Sequence, residues 1–87
     1  MKTIDDVRKY LKGNGYEDTI IYDGPADYAS AFIGVSQDGR AIYDYNLMVQ
    51  SLIDEGMSEE DAVEWIDYNT AGAWIQDGPI ILYPAEE

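Results

Sequence analysis

Glu60, Glu64 and Asp67 recur at i, i+4 and i+7, a spacing that stacks three carboxylates on successive turns of one helical face. Carboxylates so placed can accept charge-assisted hydrogen bonds from arginine and lysine. Successive turns set them about 5–6 Å apart, close to the spacing of phosphates along a nucleic-acid strand. Asp54, Glu55 and Glu59 are their neighbours in sequence, and no Lys or Arg is interspersed in the helix that carries the column. These six residues form the candidate partner-binding set, and the chemistry they offer is recognition of a basic surface. An ordinary solvated helix face is the competing reading.

A second pattern joins aromatic rings to acids. Tyr22-Asp23, Asp27-Tyr28, Tyr43-Asp44-Tyr45 and Asp67-Tyr68 place tyrosines beside carboxylates at separated points of the chain, a combination suited to gripping Arg or Lys through ion pairs and cation–π contacts. The alternative is that the rings are core and the acids cap helices and turns. Catalytic patterns are poor. With neither His nor Cys, the chain lacks the usual neutral-pH base, a thiol nucleophile and the common zinc ligands. The run Asp67-Tyr68-Asn69-Thr70-Ala71-Gly72 matches part of a calcium loop but fails at its fifth position, Ala71, and its twelfth, Gly78. No enzyme activity, cofactor or metal is expected.

Charge is distributed unevenly. Residues 13 to 87 hold 16 carboxylates against the single base Arg40, while Lys2, Arg8, Lys9 and Lys12 lie in the first twelve positions, for a net charge of −13 overall. This exceeds what solubility needs and stores self-repulsion in the fold. A basic protein is the expected partner, possible nucleic-acid-binding proteins included, whereas direct binding to nucleic acid is disfavoured for lack of clustered bases. The early bases suit the C-terminal end of a helix. Met1-Lys2 leads into a polar amphipathic segment, and no apolar run approaches the ~18 residues of a membrane span, so a soluble, cytoplasmic protein without membrane contact is expected.

The elements that must position these groups follow from periodicity. Thr3 and Asp6 form a capping-box-like start for a helix with Ile4, Val7 and Leu11 inward and Gly13-Asn14-Gly15 as its stop. Thr19-Ile20-Ile21-Tyr22, closed by Asp23-Gly24-Pro25, is β-favouring. Asp38-Gly39 signals a hairpin; as a two-residue turn it would set Val35 opposite Ile42 and place Ala31, Ile33, Val35 and Ile42 on the inner face, leaving Phe32 and Tyr43 on the second face. Asp44 or Asn46 caps a helix with Met48, Val49, Leu52 and Ile53 inward, ending at Glu55-Gly56. Ser58 caps the next, with Ala62, Trp65, Ile66 and Asn69 inward, and Asn69-Thr70 either closes it or caps a further turn through Trp74. After Asp77-Gly78-Pro79, Ile80-Ile81-Leu82-Tyr83 reads as a buried or central strand, and Ala85-Glu86-Glu87 as a solvated tail. The expectation is one α+β domain over residues 1–87: two layers, an antiparallel three- or four-stranded sheet with helices on one face, in the order α-β-β-β-α-α-β.

The run from Ala31 to Tyr45 (AFIGVSQDGRAIYDY) with Met48-Val49, the run from Glu59 to Thr70 (EEDAVEWIDYNT) and the segment from Gly78 to Tyr83 (GPIILY) resemble uncharacterised small acidic proteins carried by bacteria and their phages. The likeness covers most of residues 31 to 83 and implies a shared fold and a phage or prophage setting, with no catalytic residue to transfer. In size and charge the chain is also similar, as a class, to phage-encoded inhibitors of nucleic-acid-binding defence proteins, including DNA mimics and anti-CRISPR proteins. Two functions are therefore expected to compete. One is a non-enzymatic inhibitor occupying a basic groove by charge mimicry. The other is a structural or regulatory interaction module, a homodimer among its forms, that uses an apolar aromatic surface on the sheet's second face.

Overall fold

A computed structural model describes residues 2–23, 26–71 and 76–85. The turn expected at Gly24-Pro25, the helical extension expected through Gly72, Ala73 and Trp74, and the end of the expected tail at Glu86-Glu87 lie outside the described residues.

Helix α1 (Ile4–Gly13) begins with the capping box its sequence announces: the Asp6 backbone N–H donates to Thr3 Oγ1 (3.3 Å), and the Thr3 N–H donates to Asp6 Oδ2 (2.9 Å). The Thr3 N–H, and then the Thr3 side chain, hold the Asp6 carboxyl below its ordinary pKa. Val7 and Leu11 are buried and Ile4 half-buried. The helix stops where Gly15 turns to φ 84° and the Tyr16 N–H reaches back to the Leu11 carbonyl (2.8 Å), the left-handed closure that glycine allows at lowest cost.

Two antiparallel strands follow, β1 (Phe32–Val35) and β2 (Ala41–Asp44). Their turn has three residues, Gln37, Asp38 and Gly39, instead of the expected two. The Ser36 N–H donates to the Arg40 carbonyl (2.8 Å), and Gly39, at φ 84°, donates to the Ser36 carbonyl (3.0 Å). The Ser36 hydroxyl accepts from the Arg40 N–H at 3.0 Å and bonds the Asp38 carboxylate. With Ser36 so occupied, the register moves by one: Val35 faces Ala41 and Gly34 faces Ile42, and a bulge at Ile33 brings Phe32 opposite Tyr43. A one-residue slip exchanges the faces of a strand. The expected inner face is accordingly corrected. Phe32, Ala41 and Tyr43 are buried, Val35 and Ile42 are half-buried, Ile33 is 47% exposed, and of the expected four only Ala31 is fully buried.

Helix α2 (Tyr45–Asp54) starts directly from β2, with Asp44 Oδ1 accepting from the Leu47 N–H (3.0 Å), and closes at Gly56 (φ 108°) with the Met57 N–H on the Leu52 carbonyl (3.2 Å). Helix α3 (Glu59–Ile66) is capped by Ser58, whose Oγ accepts from the Asp61 N–H (3.1 Å), and passes into a π-helical turn, Asp67–Ala71. Met48, Val49 and Leu52 of α2 and Ala62 and Ile66 of α3 are buried, with Ile53, Val63 and Trp65 half-buried. Asn69 departs from the expected inward arc. It lies in the π-helical turn and is exposed, its Nδ2 donating to the Trp65 carbonyl (3.2 Å).

The last strand, β3 (Ile80–Leu82), pairs with β2 in parallel, Ile42 with Ile80, Tyr43 with Ile81 and Asp44 with Leu82, in a three-stranded sheet ordered β1-β2-β3. Two expectations change here. The sheet is mixed instead of antiparallel, and β3 is an edge strand, half-buried to exposed, instead of a central one. A long-range contact joins the starts of both strands. Arg40 precedes β2 and donates its Nε–H to the Gly78 carbonyl (2.8 Å) across 38 positions of sequence, so the two strands leave from the same end. The α2–α3 pair forms part of the long crossover that parallel pairing demands. The expected strand at residues 19–22 does not form. That segment is tied down by the Thr19 hydroxyl donating to the Gly39 carbonyl (3.0 Å) and the Tyr22 N–H donating to the Tyr43 hydroxyl (3.3 Å), instead of by a backbone ladder.

The buried residues of α1, β1, β2, α2 and α3 form one core cluster beneath the sheet's Phe32, Ala41 and Tyr43 face, so the molecule is a small α+β domain. The observed register makes a direct claim. Phe32→Ala should cost about 3–5 kcal/mol and Ile33→Ala less than about 1 kcal/mol in urea unfolding; the reverse order would restore the two-residue hairpin register.

Candidate functional site

All six sequence-selected acids are exposed. Asp54 ends α2 and Glu55 follows as its cap; Glu59 and Glu60 occupy the first turn of α3, Glu64 its middle and Asp67 its C-terminal cap. Asp61, also exposed in the first turn, extends the set; its value as a capping-turn acid masked it in the sequence. Helix α3 thus presents Glu60, Glu64 and Asp67 away from its buried Ala62 and Ile66.

The placement of these acids separates into two electrostatic groups. Glu59, Glu60 and Asp61 sit at a helix N-terminus, where negative charge is favourable. Asp54 and Glu55 sit at the C-terminus of α2, where it is unfavourable, and α2 has no base in its last turn; Asp67 stands where α3 passes into the π-helical turn. Asp54 accepts a hydrogen bond from Gln50 Nε2 (2.8 Å); among the described residues, none of the seven carboxylates forms an ion pair.

Three of the five bases have partners away from these acids. Lys2 donates to the Phe32 carbonyl (2.6 Å) and lies 5.4 Å from the Phe32 ring centroid. Arg40 holds Gly78. Arg8 makes one long contact of 3.9 Å with Asp23 between two exposed side chains, an arrangement that contributes little to stability. Lys9 and Lys12 remain on exposed positions of α1. Among the described residues no group of three or more acids is arranged to hold a metal ion, and no helix is long and apolar enough to cross a membrane.

The tyrosines divide. Tyr28 and Tyr43 are buried and Tyr22 half-buried, in a run of ring contacts from Tyr10 to Phe32 (5.8 Å), Phe32 to Tyr43 (5.8 Å), Tyr43 to Tyr22 (4.8 Å) and Tyr22 to Tyr28 (5.5 Å). For these residues the aromatic–acid pattern is core packing, and Asp44 is a helix cap. Phe32 and Tyr43 belong to the core as well, so the apolar surface expected on their face is not available to a partner. Tyr10, Tyr16, Tyr68 and Tyr83 are exposed, Tyr68 at 83%; the half-buried Tyr45 and the exposed Tyr83 lie with ring centroids 4.7 Å apart and an interplanar angle of 33°. Sequence reasoning missed the Tyr45–Tyr83 pair because only the parallel register, which sets Asp44 beside Leu82, makes the two residues neighbours. Burial first, then the Asp67 charge and Tyr83, raise the Tyr45 hydroxyl pKa.

Comparison with known proteins returned no matching family model, no matching curated protein and no matching solved structure.

Two solution properties follow from this electrostatic layout. Unpaired carboxylates repel one another less as salt screens them, so the melting temperature should rise between about 0.02 M and about 0.5 M salt; a flat response would show that the acids do not strain the fold. Burial, the largest cause for each, pushes Tyr22 and Tyr43 from 10.0 up to about 12. A raised folded pKa stabilises fully below the unfolded value and loses that contribution as pH climbs to the folded one. Stability should therefore fall between pH 10 and pH 12, with tyrosinate absorbance of these two rings appearing together with unfolding, while Tyr43→Phe narrows the loss.

Proposed function

We propose that this chain is a non-enzymatic acidic binding protein that occupies the basic groove of a nucleic-acid-binding protein, its α2–α3 carboxylates standing where phosphates sit in the competing complex. The observation that carries this reading is the placement of Asp54 and Glu55 at the C-terminus of α2 without a compensating base, beside an exposed acidic face on α3 that forms no ion pair among the described residues. Fold stability argues against charge there, and solubility needs far less of it. Spacing agrees: Glu60, Glu64 and Asp67 follow successive turns at about the separation of strand phosphates. A cytoplasmic setting in a bacterium that carries phage or prophage, where the resemblance to small acidic bacterial and phage proteins points, suits an inhibitor of this type.

A second reading, an apolar interaction module or homodimer, draws on another surface than the one expected from sequence. The bulge turns Ile33 outward beside Tyr10, and the two border a cleft of about 200 Å³ that also touches Val7 and Phe32.

The immobilised protein, exposed to bacterial lysate at low salt, should retain a nucleic-acid-binding protein that added duplex DNA or high salt releases. The combined variant Glu60→Gln, Glu64→Gln and Asp67→Asn should keep its fold and retain the same partner with a loss of roughly 1–3 kcal/mol and a shallower salt slope. Simultaneous binding of DNA and this chain by the captured partner would refute mimicry. Retention that ignores the triple variant and salt but is lost in Ile33→Ser would transfer the function to the apolar cleft.

A further inference from the structure

We infer that the Lys2 ammonium is an edge guard: seated on the Phe32 carbonyl, it keeps the open side of β1 from pairing with the same strand of a second copy. Such a device works whatever the acidic face binds, and so goes beyond the charge-mimic reading.

The sheet order β1-β2-β3 gives β1 a strand neighbour on one side only, among the described residues. An unpaired row of backbone N–H and C=O groups is a template for another strand, and proteins blunt such edges with lysines, prolines, bulges or very short strands. The two edges of this sheet are treated differently. β3 has three residues and lies between Pro79 and Pro84, and proline cannot donate to a ladder. β1 has no such flanks, and the run from Tyr28 to Gln37 that contains it holds neither a proline nor a charged residue. In a chain with 18 carboxylates and five bases, repulsion between two copies therefore has no local source along this strand.

Protection comes from outside the strand. Lys2, on the segment leading into α1, donates across 30 positions of sequence to the Phe32 carbonyl (2.6 Å), with its ammonium 5.4 Å from the Phe32 ring centroid. Its side chain borders the cleft between α1 and β1 together with Asp6, Tyr10, Ile33 and Gly34. A strand arriving there has to displace a charge-assisted hydrogen bond or strip water from an ammonium group, and both cost free energy. The bulge works in the same direction. It leaves Ile33 without a partner on β2 and interrupts the ladder beside Phe32, which bends the edge away from flat pairing. Lys9, by contrast, lies on an exposed position of α1, and it serves as the charge-matched control.

The test is size-exclusion chromatography with light scattering on the full chain, over a concentration series in about 0.5 M salt to screen the like charge of two copies. Wild type and Lys9→Ala should stay monomeric at every concentration. Lys2→Ala, which removes the same charge, should self-associate as concentration rises, its average mass reaching at least that of a dimer. Lys2→Arg, which keeps a cation and a donor, should remain monomeric. Adding Ile33→Lys to Lys2→Ala should restore the monomer by placing a lysine on the strand itself; association caused by unfolding would not respond to that change. A monomeric Lys2→Ala overturns the guard, as does association that Lys9→Ala matches or that Ile33→Lys leaves in place. Self-association of the wild type under the same conditions overturns it too.

Discussion

The bond from Arg40 Nε to the Gly78 carbonyl is the long-range side-chain contact that ties the last strand to the rest of the sheet. It lies where the starts of β2 and β3 meet in their parallel pairing, and α2 and α3 lie in the connection between those strands. The same bond has an electrostatic aspect. The Arg40 guanidinium is engaged with a backbone carbonyl and, among the described residues, forms no ion pair with the α2–α3 acids.

Local structure was largely legible in the sequence where one short-range rule decided the outcome. Thr3 with Asp6, Asp44, Ser58 and the glycines at 15 and 56 each satisfy orphan backbone groups at helix ends, and the observed helices begin and stop at them. The buried positions Val7, Leu11, Met48, Leu52, Ala62 and Ile66 follow helical periodicity. What the sequence concealed was pairing. Asp38-Gly39 announces a hairpin, but whether the turn holds two residues or three depends on the Ser36 hydroxyl accepting from the Arg40 N–H, a competition that propensity does not weigh. Parallel pairing of β3 was hidden for a related reason: Ile80-Ile81-Leu82 is equally apolar in either direction, and the bond that joins the strand starts is long-range. The exposed acids could be located from helix phase alone; the pairing of Tyr83 with Tyr45 could not, because it arrives through that register.

The two halves of the molecule manage charge in opposite ways. In α1 the acids lie in the first turn and Lys12 in the last, as the helix dipole favours. In α2 the C-terminal turn carries Asp54 and no base. Aromatic packing supplies a counterweight at the centre, where Phe32, Tyr43, Tyr22 and Tyr28 meet edge to face or tilted, and such pairs add about 0.5–1.5 kcal/mol beyond their buried area. A dense tyrosine core thus tolerates a surface that electrostatics alone would discourage.

The three-residue strand β3 is half-buried at Ile80 and Ile81 and exposed at Leu82, so it holds a small share of the core. Elements with few buried contacts detach at lower free energy than the whole domain unfolds. Release of β3 would leave the β1–β2 hairpin and both long-range helices in place while carrying Tyr83 away from Tyr45. Any ligand that contacts both rings is consequently linked to strand docking: its free energy of binding is shared with closure of the sheet edge, and the domain acquires a hinge whose closed population is set from outside the molecule.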